Sequence, residues 1–289
     1  MTLSPGAPVP PISTPLIATD LDRTMIFSKA AMGPEQFAAL DLCCVEIHED
    51  APLSYMTSEA VDLLGTLAAS APVVPVTTRT PKQYKRIALP GSPFRHAVVS
   101  SGGRIITDGT DDKAWRRHID TQLSGAGADL DTVVAELRSR IDQSWVKKLR
   151  IADDLFCYLV VRTERQPAGF LADWTGWCAP RGWTVSQQGR KIYAQPATVT
   201  KSAALAEVRN RLIDDGTLTA GAPVLAAGDG LLDADMLEAA DRGIRPAHGE
   251  LHELGFAREH VRVTESSGAL AGEEILAWFH AAMPAAGAA

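Results

Sequence analysis

Apolar and polar positions alternate along the chain in blocks that read as short buried strands and longer amphipathic helices. Leu16–Thr19 is an apolar run that stops abruptly at Asp20, the signature of a strand buried on both faces. Residues 59–69 place Val61, Leu64 and Leu67 at helical spacing. Residues 73–76 form a second apolar run, ending in Thr77-Thr78-Arg79. A helix is predicted over 81–89, stopping before Pro90-Gly91, and a third strand over 97–100. Residues 202–213 are amphipathic, and Val224–Ala227 is a fourth apolar strand broken by Gly228-Asp229-Gly230. Strands alternating with helices imply a parallel sheet with crossover connections, a doubly wound α/β fold.

The middle of the chain has a different rhythm. A helix is predicted over 129–142, then strands over 146–151 and 156–162 separated by a turn at Asp153-Asp154. A helix over 168–179 follows, then strands over 183–186 and 191–194 joined around Gly189. A helix followed by a hairpin, twice over, predicts an α+β module with an antiparallel sheet. The expected organisation is a core of residues 15–106 and 192–282 and an inserted cap of residues 107–191. Residues 1–14, rich in Pro and Ser, and the Ala-rich stretch 283–289 read as disordered tails.

Composition narrows the function classes. The 289 residues carry 28 Lys and Arg against 35 Asp and Glu, a net charge of −7. That balance argues against a general nucleic-acid binder, which needs a basic stripe, yet leaves room for one phosphate site built from two or three cations. Cys43, Cys44, Cys157 and Cys178 form no CxxC pair, so reduced thiols are expected rather than a disulfide scaffold or zinc site. The N-terminus lacks a basic region and apolar core, and no apolar run is long enough to span a bilayer. A cytoplasmic protein with no membrane partner is expected, and the oligomeric state is not readable.

Four polar segments fall at a strand end or helix start, the edge where open α/β sheets bind ligands. They are Asp20-Leu21-Asp22-Arg23-Thr24, Thr77-Thr78-Arg79, Thr200-Lys201-Ser202 and Gly228-Asp229-Gly230-Leu231-Leu232-Asp233. Two carboxylates two residues apart on an extended strand face the same side and repel, unless a cation intervenes. A hard cation such as Mg²⁺ takes oxygen ligands and keeps phosphate oxygens in its shell. Asp229 supplies a further carboxylate, Thr77 a hydroxyl donor and Lys201 a point charge suited to phosphate. Asp233, one turn beyond Asp229, is placed to orient Lys201 or reach the metal's waters. Arg79, Thr78, Arg190 and Lys191 are candidate substrate contacts. No GxGxxG, P-loop, GxSxG or HExxH motif is present.

The four segments in this order, with residues 80–199 between the second and third, resemble the haloacid-dehalogenase-like phosphatase superfamily. The similarity is to its Cof-type and sucrose-phosphatase-like branch, whose cap is inserted after the second motif. The run from Val99 to Gly103 also resembles the turn that precedes the cap in that branch, with Ser101 where Asn is usual. The resemblance implies a Rossmann-like core with an α+β cap and a Mg²⁺-dependent phosphatase acting on a small phosphorylated metabolite, a sugar phosphate as first guess. It implies that Asp20 is the nucleophile forming an aspartyl-phosphate. It implies that Asp22 is the general acid and base, its backbone carbonyl on the metal, and that Asp229 completes the metal site with Asp20, Asp233 being a further candidate. A phosphomutase of the phosphomannomutase kind and a catalytically silent binding protein of the same fold are the alternatives. The chain departs from the pattern at Arg23, where Gly is common, and at Leu232, where Asn is common; its single Asn is Asn210. It also has a long first connection over 28–57, expected to pack as an extra hairpin over the site.

Overall fold

A computed structural model of the chain describes residues 14–284. The tails expected over 1–14 and 283–289 lie outside the described residues, apart from Thr14, Met283 and Pro284. The core is a five-stranded parallel sheet in the spatial order Val261–Val263, Arg242–Arg245, Val224–Ala227, Leu16–Thr19, Val73–Pro75. Leu16 pairs with Val224 and Ala18 with Val74, so strand Leu16–Thr19 is covered on both edges as well as both faces. The alternation of side chains then sorts the sheet into two layers. Leu16, Ala18, Val74 and Ala226 pack with Leu205, Val208 and Leu212 of helix Lys201–Asp214 and with Met236 of helix Ala234–Ala239. Ile17, Val73, Leu225 and Ala227 pack with Leu64 and Leu67 of helix Ser58–Ser70 and with Ile275 and Phe279 of helix Ala269–Ala281. Helices on both faces account for the uninterrupted apolar strands.

Past Val76, which bridges to Val98, strand His96–Val99 pairs antiparallel with Arg104–Thr107, which in turn pairs antiparallel with Thr110–Asp111. The turn between them holds Ser100, Ser101 and Gly102 at positive φ, 51°, 59° and 99°. A Cβ on Gly102 would stand 2.0 Å from the Thr200 carbonyl oxygen, so this turn presses on the residue that begins the Lys201 helix.

The cap sheet is antiparallel, in the order Trp183–Gln188, Lys191–Pro196, Phe156–Val161, Val146–Ala152. Helices Leu130–Arg140 and Phe170–Cys178 supply Val133, Leu137 and Trp174 to a separate apolar cluster with Trp145, Leu159 and Trp183. Trp174 and Trp183 are therefore packing residues, and Trp177 stacks on Trp174 at 5.2 Å. On the opposite side, Phe156 and Tyr193 join the cluster that includes Leu205 and Val98, which ties the cap to the core. Strand Lys191–Pro196 pairs within the cap sheet through Pro196, beyond residue 191 where the return to the core was expected.

The 28–57 connection folds as helical segment Lys29–Ala39, capped by Ser28 and broken at Gly33 (φ 81°), and a hairpin of Leu42–His48 with Ala51–Thr57. That hairpin shortens the helix predicted over 81–89. Thr80 and Gln83 form a reciprocal cap and Pro81 starts the helix, but it ends at Tyr84. The following residues are drawn into backbone pairing with the hairpin, Ile87 opposite Glu46 and the Ala88 amide donating to the Val45 carbonyl at 2.8 Å.

Candidate active site

Buried Lys201, with 0% exposure, is the hub of the site. It opens its helix behind the Thr200 cap, and its ammonium donates to Asp20 Oδ1 at 2.6 Å and to Asp233 Oδ1. Asp233 in turn accepts from the backbone amides of Asp229, at 3.1 Å, and Gly230, at 2.8 Å, which fixes the 228–233 loop. A Cβ on Gly228 would fall 2.4 Å from the Asp233 Cβ, so glycine there permits the close turn. Asp20, Asp229 and Asp233 place one carboxylate oxygen each within 4.8 Å of one another, all buried.

The electrostatics of this cluster are strained. Burial, then Asp233, push the Asp20 carboxyl up from 3.8 to about 7, against the pull of Lys201. Burial, then Asp20 and Asp233, raise Asp229 as well. The Lys201 ammonium, whose burial alone would lower it, is raised by Asp20 and Asp233. One oxygen of Asp229, Oδ1, is buried without a hydrogen-bond partner. Clustered hard oxygen ligands, unfavourable mutual repulsion and an orphaned carboxylate oxygen fit a divalent cation such as Mg²⁺.

Asp22 stands apart from that cluster. The strand ends at Thr19, so Asp20 and Asp22 do not share a face of one extended segment. The Asp22 carboxylate instead takes a two-pronged grip from Arg79, Nε to Oδ2 at 2.7 Å and Nη2 to Oδ1 at 2.8 Å. Burial would raise this carboxyl, but the charge and hydrogen bonds of Arg79 prevail and hold it at about 2. Arg79 is shared with Glu46, to which its Nη1 lies at 2.7 Å. Glu46 also accepts from Ser54 Oγ at 2.7 Å and pairs with Arg86 at 3.0 Å. Thus the hairpin of the long first connection reaches the second motif and holds its arginine.

Thr77 is fully buried and its hydroxyl accepts from the Arg79 amide at 3.2 Å, while the Thr78 hydroxyl lies 3.4 Å from Tyr193 Oη. Lys191, on the last cap strand, is raised chiefly by Tyr193, then by Asp22, against its burial. Arg190 is exposed and makes no ion pair among the described residues. Asp20, Lys201, Asp229 and Asp233 are brought together, Asp22 and Arg79 form a second pair beside them, and Lys191 overlooks that pair from the cap.

Four contributors were not legible from the sequence. Glu46 and Ser54 lay in the unassigned 28–57 connection. Glu250, in the short helix Glu250–Glu253, accepts from Ser186 Oγ at 2.5 Å, the Gln187 amide at 2.9 Å and the Leu231 amide at 2.9 Å. Burial raises its carboxyl above the usual range. His248 donates from Nε2 to the Arg23 carbonyl at 2.8 Å and accepts from the Gly268 amide at 3.1 Å. None of the four carried a motif, because each meets partners distant in sequence, Ser54 through Arg79.

This architecture is the fold of the haloacid-dehalogenase-like phosphatases that carry an inserted α+β cap. The sucrose-phosphatase from Synechocystis sp. PCC6803, solved with sucrose and phosphate, matches with a TM-score of 0.61 at 15% identity over 92% of this chain and 98% of its own. A trehalose-6-phosphate phosphatase related protein gives a TM-score of 0.51 at 18% identity, covering 92% of this chain and 97% of that one. A phosphatase of the same superfamily from Bacteroides thetaiotaomicron gives 0.51 at 13% identity, over 96% and 99%. No protein-family model matches the sequence, and no curated protein matches it. No helix among the described residues is long and apolar enough to cross a membrane.

Proposed function

We propose that this chain is a Mg²⁺-dependent phosphomonoesterase working through an aspartyl-phosphate. The observation that carries the reading is the buried contact of Lys201 with Asp20 inside the cluster of Asp229 and Asp233. Asp20 and Asp229 would hold the cation, with the Asp22 backbone carbonyl, and Asp233 would serve through Lys201 and the loop amides. When bound, the cation neutralises phosphoryl charge and holds the transferred group in line.

The Asp20 carboxylate attacks phosphorus, forming an acyl-phosphate and expelling the alcohol. Lys201 holds Asp20 in place and offsets negative charge on the phosphoryl oxygens, with the Thr77 hydroxyl as a further donor. Asp22 protonates the departing oxygen, then takes a proton from the water that hydrolyses the acyl-phosphate. In the arrangement described Asp22 is ionised by Arg79, the state required for the second step. To act in the first, it must be relieved of part of the Arg79 charge, and Glu46 is the group that competes for that guanidinium.

The substrate class we infer is a sugar phosphate, supported by structural similarity to a sucrose-phosphatase and a trehalose-6-phosphate phosphatase related protein. The test is hydrolysis of para-nitrophenyl phosphate and a sugar-phosphate panel with Mg²⁺, with chelator, and with Asp20→Asn. Turnover that needs Mg²⁺ and vanishes in the Asn variant is expected. Undiminished turnover in either control overturns the reading. A bisphosphorylated sugar added to the same assay separates hydrolysis from phosphoryl return to a sugar.

A further inference from the structure

The charges in the carboxylate cluster are compensated unevenly. Lys201 serves Asp20 and Asp233, whereas the cation beside Asp229 is Arg23, with Nε 3.2 Å from Oδ2. Arg23 stands at the position where the resembling family commonly has glycine, and it accepts the left-handed φ of 67° that this position imposes. Its backbone is fixed, the amide donating to the Ile26 carbonyl at 2.8 Å and the carbonyl accepting from His248 at 2.8 Å. Its side chain is not fixed in the same way. Nε is buried without a hydrogen bond of good geometry, so attraction to Asp229 is electrostatic, and Asp229 Oδ1 has no partner. The side chain is 30% exposed, and Nη1 lies 3.3 Å from where a Cβ would stand on Gly189 at the tip of the cap hairpin. Rotation about side-chain torsions alone can therefore carry the guanidinium from the carboxylate to the mouth of the site.

Resting on the reading of Asp20 and Asp229 as the divalent-cation site, we propose that Arg23 is the resident counter-cation of Asp229. It exchanges with the divalent ion, and the displaced guanidinium then faces the phosphate. A guanidinium and a divalent cation on one buried carboxylate repel strongly, because little solvent screens them. An anion at the mouth gives the displaced guanidinium a new partner, with the two-pronged geometry that arginine offers phosphate. Cation and phosphate occupancy are thus coupled through one side chain, and by linkage each strengthens the other equally.

Mg²⁺ binding to the full chain, measured calorimetrically with and without saturating inorganic phosphate, tests this in the wild type, Arg23→Gln and Arg23→Gly. The glycine variant relieves the left-handed backbone, so it remains informative should the glutamine variant fold poorly; thermal melting verifies both. Without phosphate, both variants should bind Mg²⁺ about fivefold tighter or more, within the usual span of such couplings. Phosphate should tighten Mg²⁺ binding by a larger factor in the wild type than in either variant. Equal or weaker Mg²⁺ affinity in the variants, or an unchanged phosphate factor, overturns the exchange and leaves the cation site standing. Absence of Mg²⁺ binding in all three proteins overturns the cation site itself.

Discussion

Arg79 grips both carboxylate oxygens of Asp22, at 2.7 and 2.8 Å, while a third nitrogen of the same guanidinium reaches Glu46. The proton affinity of Asp22 is thereby set chiefly by Arg79, a guanidinium shared with a residue on a hairpin outside every recognised motif. Glu46→Gln should leave Arg79 more fully committed to Asp22 and weaken its ability to donate a proton. A kcat loss of about tenfold is expected for alkyl phosphates, a fraction of the roughly 10²–10⁴-fold that general acid–base catalysis contributes. Para-nitrophenyl phosphate, whose leaving group needs little protonation, should lose far less. Parallel rates across leaving groups settle the point; an equal loss for all would sink it.

On the proposed reading the core motifs would face the phosphoryl group common to all substrates, whereas Lys191 and Arg190 belong to the cap. Lys191→Ala or Arg190→Ala should reorder preference among sugar phosphates and spare para-nitrophenyl phosphate. Lys201→Ala should slow every substrate by a similar factor. Measuring kcat/KM for the variants on the same four or five esters distinguishes the two behaviours, and uniform loss in the cap variants would contradict this division.

Gly102 combines a φ of 99° with a would-be Cβ 2.0 Å from the Thr200 carbonyl. Gly102→Ala should cost about 2 kcal/mol or more, as strained left-handed positions do. Because Thr200 caps the helix that starts at Lys201, kcat should fall as well. Thermal melts and rates unchanged by the substitution would show that the turn does not position that helix.

Burial pulls His248 down from 6.5 to about 4, against the lift from its bond to the Arg23 carbonyl. The folded state therefore favours neutral imidazole. Its contribution is complete above 6.5 and drains away as pH falls from 6.5 toward 4, by at most about 1.4 kcal/mol per pH unit. Across that window the wild type should lose more stability than His248→Gln, which does not titrate. Melting both proteins at half-unit pH steps checks this, and parallel curves would count against it.

The apolar runs Leu16–Thr19 and Val224–Ala227 announced the sheet, because a strand buried on both faces leaves no polar alternation to confuse with helix. Asp20, Lys201, Asp229 and Asp233 were readable because each sits at a strand or helix end, where the fold itself gathers polar groups. Helix 81–89 was overestimated because its local periodicity is sound while the force that ends it, pairing of Ile87 and Ala88 with the hairpin, is tertiary. Glu46 and Glu250 escaped for a related reason. A carboxylate that works through partners 33 or 64 residues away leaves no spacing to read, as Arg79 and Ser186 show.

Glu250 joins three donors from two bodies of the protein: Ser186 and Gln187 of the cap, and Leu231 of the loop that carries Asp229 and Asp233. Gln188 tightens the same junction, its Nε2 lying 2.0 Å from where a Cβ would stand on Gly230. Entry and exit of a molecule under the cap cannot then be a swing about a free hinge. Either the carboxylate sheds its cap donors, or the loop travels with the cap and the acidic cluster is deformed. On the proposed reading, where such opening limits turnover, as it does in many lidded enzymes, the pace of the cycle would be kept by a carboxylate outside the groups assigned to phosphoryl transfer.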